Sequence, residues 1–150
     1  MSTLRLILGD QLNQQHSWFR EVRPEVTYIL LEIRQETDYV RHHIQKVVAF
    51  FAAMRSFADL LRQQGHAVVY VRLDSPTHPA ADLTEQLFMW IDKLNVEAFE
   101  YQLPDEWRLD QQLQLFCQEL ATQGIRSRVY DSEHFLTTRT TLARLFEGKK

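Results

Sequence analysis

The stretch that decides the fold is residues 4–10, LRLILGD. Four of its first five residues are apolar, and the run stops at a glycine and an aspartate, which is typical of a buried strand that ends in a turn. The pattern returns at residues 27–32 (TYILLE), where β-branched and apolar side chains again end in a charge. These two runs predict the central strands of a sheet.

Three further runs have the composition of strands: residues 67–73 (AVVYVRL), 98–103 (AFEYQL) and 125–130 (IRSRVY). The last two are half polar, so we expect them nearer an edge of the sheet. Residues 11–23 predict a loop with a helical turn.

Between the strands the apolar spacing changes to 3.6 residues, which predicts helices. They span residues 39–64, 83–94 and 109–123. Asp82 and Asp110 are the expected N-caps, and Gly65 and Gly124 stand where helix C-termini favour glycine.

Strands that alternate with long helices pair in parallel through right-handed crossovers. We therefore predict an α/β fold: an open, doubly wound, five-stranded parallel sheet in a flavodoxin/Rossmann-like three-layer sandwich. The sequence predicts one domain over residues 1–136, and residues 137–150 as a tail or the start of a linker.

Composition excludes several classes of protein. The chain has 150 residues, a net charge of −3 and one cysteine, which excludes a disulfide framework and a multi-cysteine zinc site. The acidic balance gives no general attraction to nucleic acid or anionic membranes. The apolar runs are too short to span a membrane, and the start has no signal-peptide pattern. We expect a cytoplasmic protein.

In open α/β sheets, ligands bind beyond the carboxyl ends of the strands. The first strand ends in Gly9, Asp10 and Gln11, which offer close approach, a carboxylate and an amide; the alternative is a plain capped turn. Asp105 to Arg108 follow the fourth strand, and there Trp107 either stacks on a planar ring or covers the domain's own core.

A larger polar cluster follows the second strand and the start of the first long helix. Carboxylates, imidazoles and a phenol suit a hydroxyl-rich or heteroaromatic ligand, but they equally suit a solvated helix N-terminus. The histidines do not converge at metal-ligand spacing, so we expect no metal site. The cluster consists of Glu32, Glu36, Asp38, Tyr39, His42, His43 and Lys46.

Several catalytic motifs are absent from the sequence, namely GxGxxG, GxxxxGK[ST] and GxSxG, which argues against a dinucleotide fingerprint, a P-loop and a nucleophile elbow. Cys117 lies on the apolar face of a predicted helix, where we expect it to be inert. No lysine follows the fifth strand, which argues against a response-regulator receiver.

The sequence resembles the cryptochrome/photolyase superfamily. It is most similar to the bacterial photolyase-related branch, which includes iron–sulfur (6-4) photolyases and bacterial cryptochromes. The resemblance spans nearly the whole chain, and the order and spacing of the motifs carry it. It rests on residues 6–12 (LILGDQL), Glu32, Glu36, residues 39–43 (YVRHH), Lys46, residues 53–55 (AMR), Phe57, Ala58, Leu61, residues 106–108 (EWR), Phe135 and Leu136.

The resemblance implies an N-terminal antenna domain that binds 6,7-dimethyl-8-ribityllumazine and passes excitation to FAD, for DNA photorepair or blue-light sensing. FAD, the iron–sulfur cluster and DNA contact then belong to a C-terminal domain of the same protein, and no catalytic residue is expected here. The residues implied to bind the chromophore are Gly9, Asp10, Gln11, Leu12, Glu32, Glu36, Tyr39, His42, His43 and Lys46.

Physical chemistry suggests roles for these residues. The amide of Gln11 would read the edge of the ring, Leu12 and Tyr39 would sandwich it, and Glu36 with the histidines would hold ribityl hydroxyls. Two alternatives remain: a small flavodoxin-like hydrolase or transferase that uses Asp10, Glu36 and His42, and a protein-docking module.

Overall fold

The structure, a computed structural model, describes residues 1–33, 43–75, 82–137 and 139–147. Its centre is a five-stranded sheet in which every neighbouring pair is parallel. The strands are β1 (Thr3–Leu6), β2 (Val26–Leu31), β3 (Ala67–Val71), β4 (Ala98–Gln102) and β5 (Arg126–Tyr130). The predicted open α/β class is confirmed, and the order β3-β2-β1-β4-β5 is the Rossmann rather than the flavodoxin arrangement.

The described helices are α1 (Ile44–Gln63), α2 (Leu83–Lys93), α3 (Trp107–Thr122) and α4 (Arg139–Phe146), with a short 3₁₀ turn at Ser17–Phe19. Gly65 and Gly124, at φ +92° and +78°, follow α1 and α3 as predicted; a side chain would strain this left-handed backbone.

Two helix starts differ from the prediction. α1 begins at Ile44, not at residue 39, because His43 is extended (φ −60°, ψ 136°) and caps the helix with its side chain. α3 begins at Trp107, so Asp110 lies within its first turn and Glu106 is the N-cap. Asp82 does cap α2, in a reciprocal pair with Glu85.

The sheet separates two apolar cores. On one face, α2 and α3 pack on Leu4, Leu6 and Phe99. On the other, α1 and the 3₁₀ turn pack on Ile7 and Tyr28. Since successive side chains of a strand point to opposite faces, a strand in the middle of this sandwich buries both of its faces.

The fourth strand lies one place from the edge of the sheet, in agreement with its predicted position, but for a different reason. β5 is an edge strand as expected, but β4 lies between β1 and β5. Its polar residues are not signs of exposure: Glu100 accepts a hydrogen bond from Arg5 at 2.7 Å, and Gln102 is completely buried. None of the helices in the described ranges is long and apolar enough to cross a bilayer.

Candidate functional site

The strand order reverses between β1 and β4, because β2 and β3 extend the sheet to one side and β4 and β5 to the other. The carboxyl ends of β1 and β4 are therefore the place where this architecture binds ligands. Residues 7–12 leave β1 at this point, and residues 103–106 leave β4. We call this the β1–β4 corner and define it by Asp10, Gln11 and Gln102.

The Gln11 side chain links the segment after β1 to the end of β4 by hydrogen bonds at this corner. Its side chain is buried; its Oε1 accepts the Leu8 N–H at 3.1 Å and its Nε2 donates to the Gln102 carbonyl at 3.2 Å. The amide that sequence analysis assigned to ring recognition is therefore engaged within the chain.

Gly9 lies under α1. A Cβ built on Gly9 would collide with the ring of Phe50 and lie 3.0 Å from Met54 Sδ. Leu12 packs against the core beneath α1. The glycine is thus explained by close approach of α1 to the end of β1.

Asp10 keeps an exposed surface, but its carboxylate is in an unfavourable setting. The protein packed around the carboxyl raises its pKa, and the nearby carboxylates of Asp105 and Glu106 add to the rise, while His134 opposes it. The corner disfavours additional negative charge.

Glu32 lies at the carboxyl ends of β2 and β3, where four donors surround it. Arg55 on α1 binds both oxygens, at 2.6 and 2.9 Å, while the Tyr70 hydroxyl and the Leu73 N–H donate at 2.7 and 3.0 Å. Burial would raise the pKa of Glu32, but the hydrogen bonds outweigh it and hold the pKa below its usual value. We call this group (Glu32, Arg55, Tyr70 and the Leu73 N–H) the β2–β3 corner.

The remaining predicted site residues fall near the start of α1 or outside the described residues. His43 is exposed, and its Nδ1 accepts the Gln45 N–H at 3.3 Å as the helix N-cap. Lys46 is exposed in the first turn. Glu36, Tyr39 and His42 lie outside the described residues, so the predicted grouping around the ribityl chain stays a prediction, as does the enzyme alternative.

A strap formed by residues 11–17 crosses from the end of β1 to the end of β5. His16 is buried; its Nδ1 accepts the Trp18 N–H at 3.1 Å and its Nε2 donates to the Asp131 carbonyl at 2.9 Å. Glu133, at φ +56°, accepts from the N–H and hydroxyl of Ser17 at 3.0 and 2.5 Å. These bonds join the segment that follows β1 to the segment that follows β5.

Sequence reasoning missed Gln102, the last residue of β4. The residue has 0% exposure, yet neither its Nε2 nor its Oε1 has a hydrogen-bond partner among the residues that the structure describes. The sequence signal was the polar Gln102 within the run AFEYQL, but we interpreted the polar residues of this run as evidence of a strand near the edge of the sheet. Elsewhere in the described ranges, no three His, Cys, Asp or Glu side chains are grouped to hold a metal ion.

Comparison with known proteins gives two matches. The family model described as deoxyribodipyrimidine photo-lyase-related protein matches residues 5–150. A (6-4) photolyase of Agrobacterium fabrum is 32% identical over 151 residues, an alignment that takes in all of this chain. The chain spans 29% of the length of that relative.

Proposed function

Because the chain belongs to the deoxyribodipyrimidine photo-lyase-related protein family, we propose that it is the antenna domain of a photolyase-like protein. In this proposal it binds 6,7-dimethyl-8-ribityllumazine at the carboxyl edge of the sheet. The bound lumazine absorbs near-ultraviolet or blue light and passes the excitation to FAD without radiation. The activity served is DNA photorepair or blue-light sensing.

The observation that carries the proposal is the reversal of strand order between β1 and β4. Ligands of open α/β sheets bind at such a point, and the family match extends over both strands. The residues assigned from the resemblance follow β1 and β2 in the sequence, and those within the described ranges include Gly9, Gln11 and Glu32. The proposal therefore joins a family identity to a general property of the architecture.

The described residues fit a neutral heteroaromatic ligand better than an anion. The raised pKa of Asp10 reflects burial and neighbouring carboxylates, which disfavour more negative charge. The pyrimidinedione ring of a lumazine is neutral and offers hydrogen-bonding edges. The chain's part is to bind and orient this ring and to exclude water; Gly9 and Leu12 border the site, and Glu32 stabilises the neighbouring corner.

FAD, an iron–sulfur cluster and DNA contact are assigned to a C-terminal domain of the same protein. This chain has one cysteine, so it lacks the ligands for a four-cysteine cluster. The relative's greater length supports such a partner domain. So does a set of large, exposed apolar side chains near residue 140, a surface that typically contacts protein: Phe135, Leu136, Leu145 and Phe146.

The test is a titration of the purified chain with 6,7-dimethyl-8-ribityllumazine, followed by absorption and fluorescence, with FMN as the control ligand. We expect saturable binding with a shifted lumazine band and weaker binding of FMN. Glu36→Ala should weaken lumazine binding, because the resemblance assigns that carboxylate to the ribityl hydroxyls.

The matched control is Glu97→Ala, at the opposite edge of the sheet, where the carboxylate is exposed. It should bind lumazine as the unmodified chain does. Absence of lumazine binding to the unmodified chain would overturn the proposal. Equal binding by the Glu36 and Glu97 variants would overturn only the role of Glu36.

A further inference from the structure

The amide of Gln102 is the least satisfied polar group at the proposed ligand edge. Its side chain is fully buried, and both of its polar atoms lack a partner among the described residues. A buried amide without hydrogen bonds lowers the stability of the fold, because burial removes its hydrogen bonds to water and no bonds within the protein replace them. Buried polar groups therefore normally have partners, and exceptions need an explanation.

The side chain points to the face of the sheet that α1 covers. Glu100, two residues earlier on β4, bonds Arg5 and Tyr130, while Tyr101 between them packs in the core under α2 and α3. Because side chains two apart share a face, Gln102 lies beside Glu100, one step nearer the carboxyl edge.

Three polar side chains on this part of the fold are bonded to groups other than the Gln102 side chain. The Tyr130 hydroxyl donates to Glu100 at 3.0 Å, and the Arg5 guanidinium binds Glu100 and Tyr28. The Gln11 amide accepts a hydrogen bond from the Leu8 N–H and donates one to the main-chain carbonyl of Gln102. It makes no hydrogen bond to the Gln102 side chain. Rearranging any of them would break an existing bond.

We infer that Gln102 reads the pyrimidinedione edge of the bound ring through a paired hydrogen bond. A carboxamide presents an N–H donor and a carbonyl acceptor side by side. A ring imide presents the complement: its N–H donates to Gln102 Oε1, and the adjacent carbonyl accepts from Nε2. The inference rests on the proposed function and names the ligand feature that gives specificity.

Gln102 replaces Gln11 as the ring-reading amide. Both glutamines stand at the β1–β4 corner, but the Gln11 side chain is bonded within the chain and that of Gln102 is not. Sites that hydrogen-bond a polar ligand edge reject analogues that lack it, because their own buried groups are then left unpaired. Gln102 is therefore a specificity residue for cyclic imides.

The experiment compares two ligands and three proteins. The ligands are 6,7-dimethyl-8-ribityllumazine and its N3-methyl analogue, which lacks the ring N–H donor. The proteins are the unmodified chain, Gln102→Met and Gln86→Met. Gln86 is the matched control, since it is also buried with an unpartnered Oε1 in the described structure but lies on α2, on the other side of the sheet.

We expect the unmodified chain to bind the parent lumazine roughly tenfold more tightly than the N3-methyl analogue, the effect of losing one or two hydrogen bonds. Gln102→Met should lose this discrimination, and Gln86→Met should keep it. Thermal unfolding of each variant reports its folding; if Gln102→Met does not fold, Gln102→Leu takes its place. The ratio of two affinities is insensitive to modest losses of folded protein.

Discrimination that survives in Gln102→Met would overturn the inference and leave the antenna proposal standing. The same holds if the unmodified chain binds both ligands equally, because the ring N–H then makes no hydrogen bond that contributes to affinity. If the unmodified chain binds neither ligand, the proposed function fails, and the inference that rests on it fails too.

Discussion

The two corners of the carboxyl edge differ in how completely their polar groups are hydrogen-bonded. At the β2–β3 corner, Glu32 is surrounded by four donors and its pKa is lowered. At the β1–β4 corner, the Asp10 carboxyl has a raised pKa, and the Gln102 amide has no partner among the described residues.

The difference suggests two uses of polar residues at this edge: at one corner they stabilise the fold, and at the other they are proposed to bind a ligand. At the β2–β3 corner the Glu32 carboxylate already accepts four hydrogen bonds from the chain, so its oxygens are engaged within the fold. A corner that tolerates a buried unpaired amide gives up stability, which natural proteins do at functional sites. Glu32 thus stabilises the ends of β2 and β3, and in the proposed function the β1–β4 corner is where the ligand adds hydrogen bonds.

The largest expected effect is the loss of Glu32. Glu32→Ala removes a carboxylate that is 1% exposed and leaves Arg55, Tyr70 and the Leu73 N–H without their acceptor. We expect unfolding free energy to fall by about 2–4 kcal/mol. Arg55 is half exposed and regains water, which keeps the loss within this range. Urea unfolding followed by circular dichroism measures it.

Glu97→Ala serves as the control for that comparison, because this exposed carboxylate lies at the other end of the sheet. Its unfolding free energy should change by no more than about 0.5 kcal/mol. A loss of similar size in both variants would mean that the β2–β3 corner is not special.

An intermediate effect is expected at Gly9. Gly9→Ala places a methyl group against Phe50 and within 3.0 Å of Met54 Sδ, and such overpacking costs about 1–3 kcal/mol. Phe50→Leu should relieve the clash, so the double variant should be more stable than the sum of the two single losses predicts. Additive losses in the same urea assay would show that Phe50 is not the obstacle.

The smallest effect is on the pH dependence of stability, where the corners should have opposite signs. A lowered pKa makes Glu32 stabilising above its ordinary value of 4.5, and this contribution is lost as pH falls through the folded-state pKa. A raised pKa makes Asp10 stabilising below its ordinary value of 3.8, and this contribution is lost as pH rises through the folded-state pKa.

Glu32→Gln should therefore flatten the acid limb of stability between about pH 5 and pH 3, and Asp10→Asn should steepen it. The changes are smaller than that of Glu32→Ala, because protonation leaves the carboxyl group in place. Thermal unfolding across this pH range measures both slopes. A steeper limb in Glu32→Gln, or a flatter one in Asp10→Asn, would contradict the assigned shifts.

The sequence predicted the α/β class and the positions of the five strands because apolar periodicity reports burial directly. For β4 it misjudged only why the strand is half polar: Glu100 is partly buried and bonds Arg5, 95 positions away, which no local pattern shows. The start of α1 was missed for a similar reason: the polar residues before Ile44 continue a helical pattern, but His43 turns the backbone out of it.

The sequence predicted where the strands end better than it predicted the side-chain contacts at those ends. The strand ends were correctly identified, and Gly9, Gln11 and Glu32 lie there. Which amide is bonded and which is unpaired depends on side-chain geometry across strands, as the Gln11 bond to the Gln102 carbonyl shows. No local pattern in the sequence encodes that difference.

The central position of β1 has a consequence for how the chain is made. A ribosome delivers β1 first, but the β4 residues that pair with its second edge come 95 positions later. Until then the second side of β1 is an open edge of unpaired N–H and carbonyl groups, which is a template for wrong pairing. Long-range pairing of this kind slows folding, so the side of β1 that forms the β1–β4 corner is paired later than the side that binds β2.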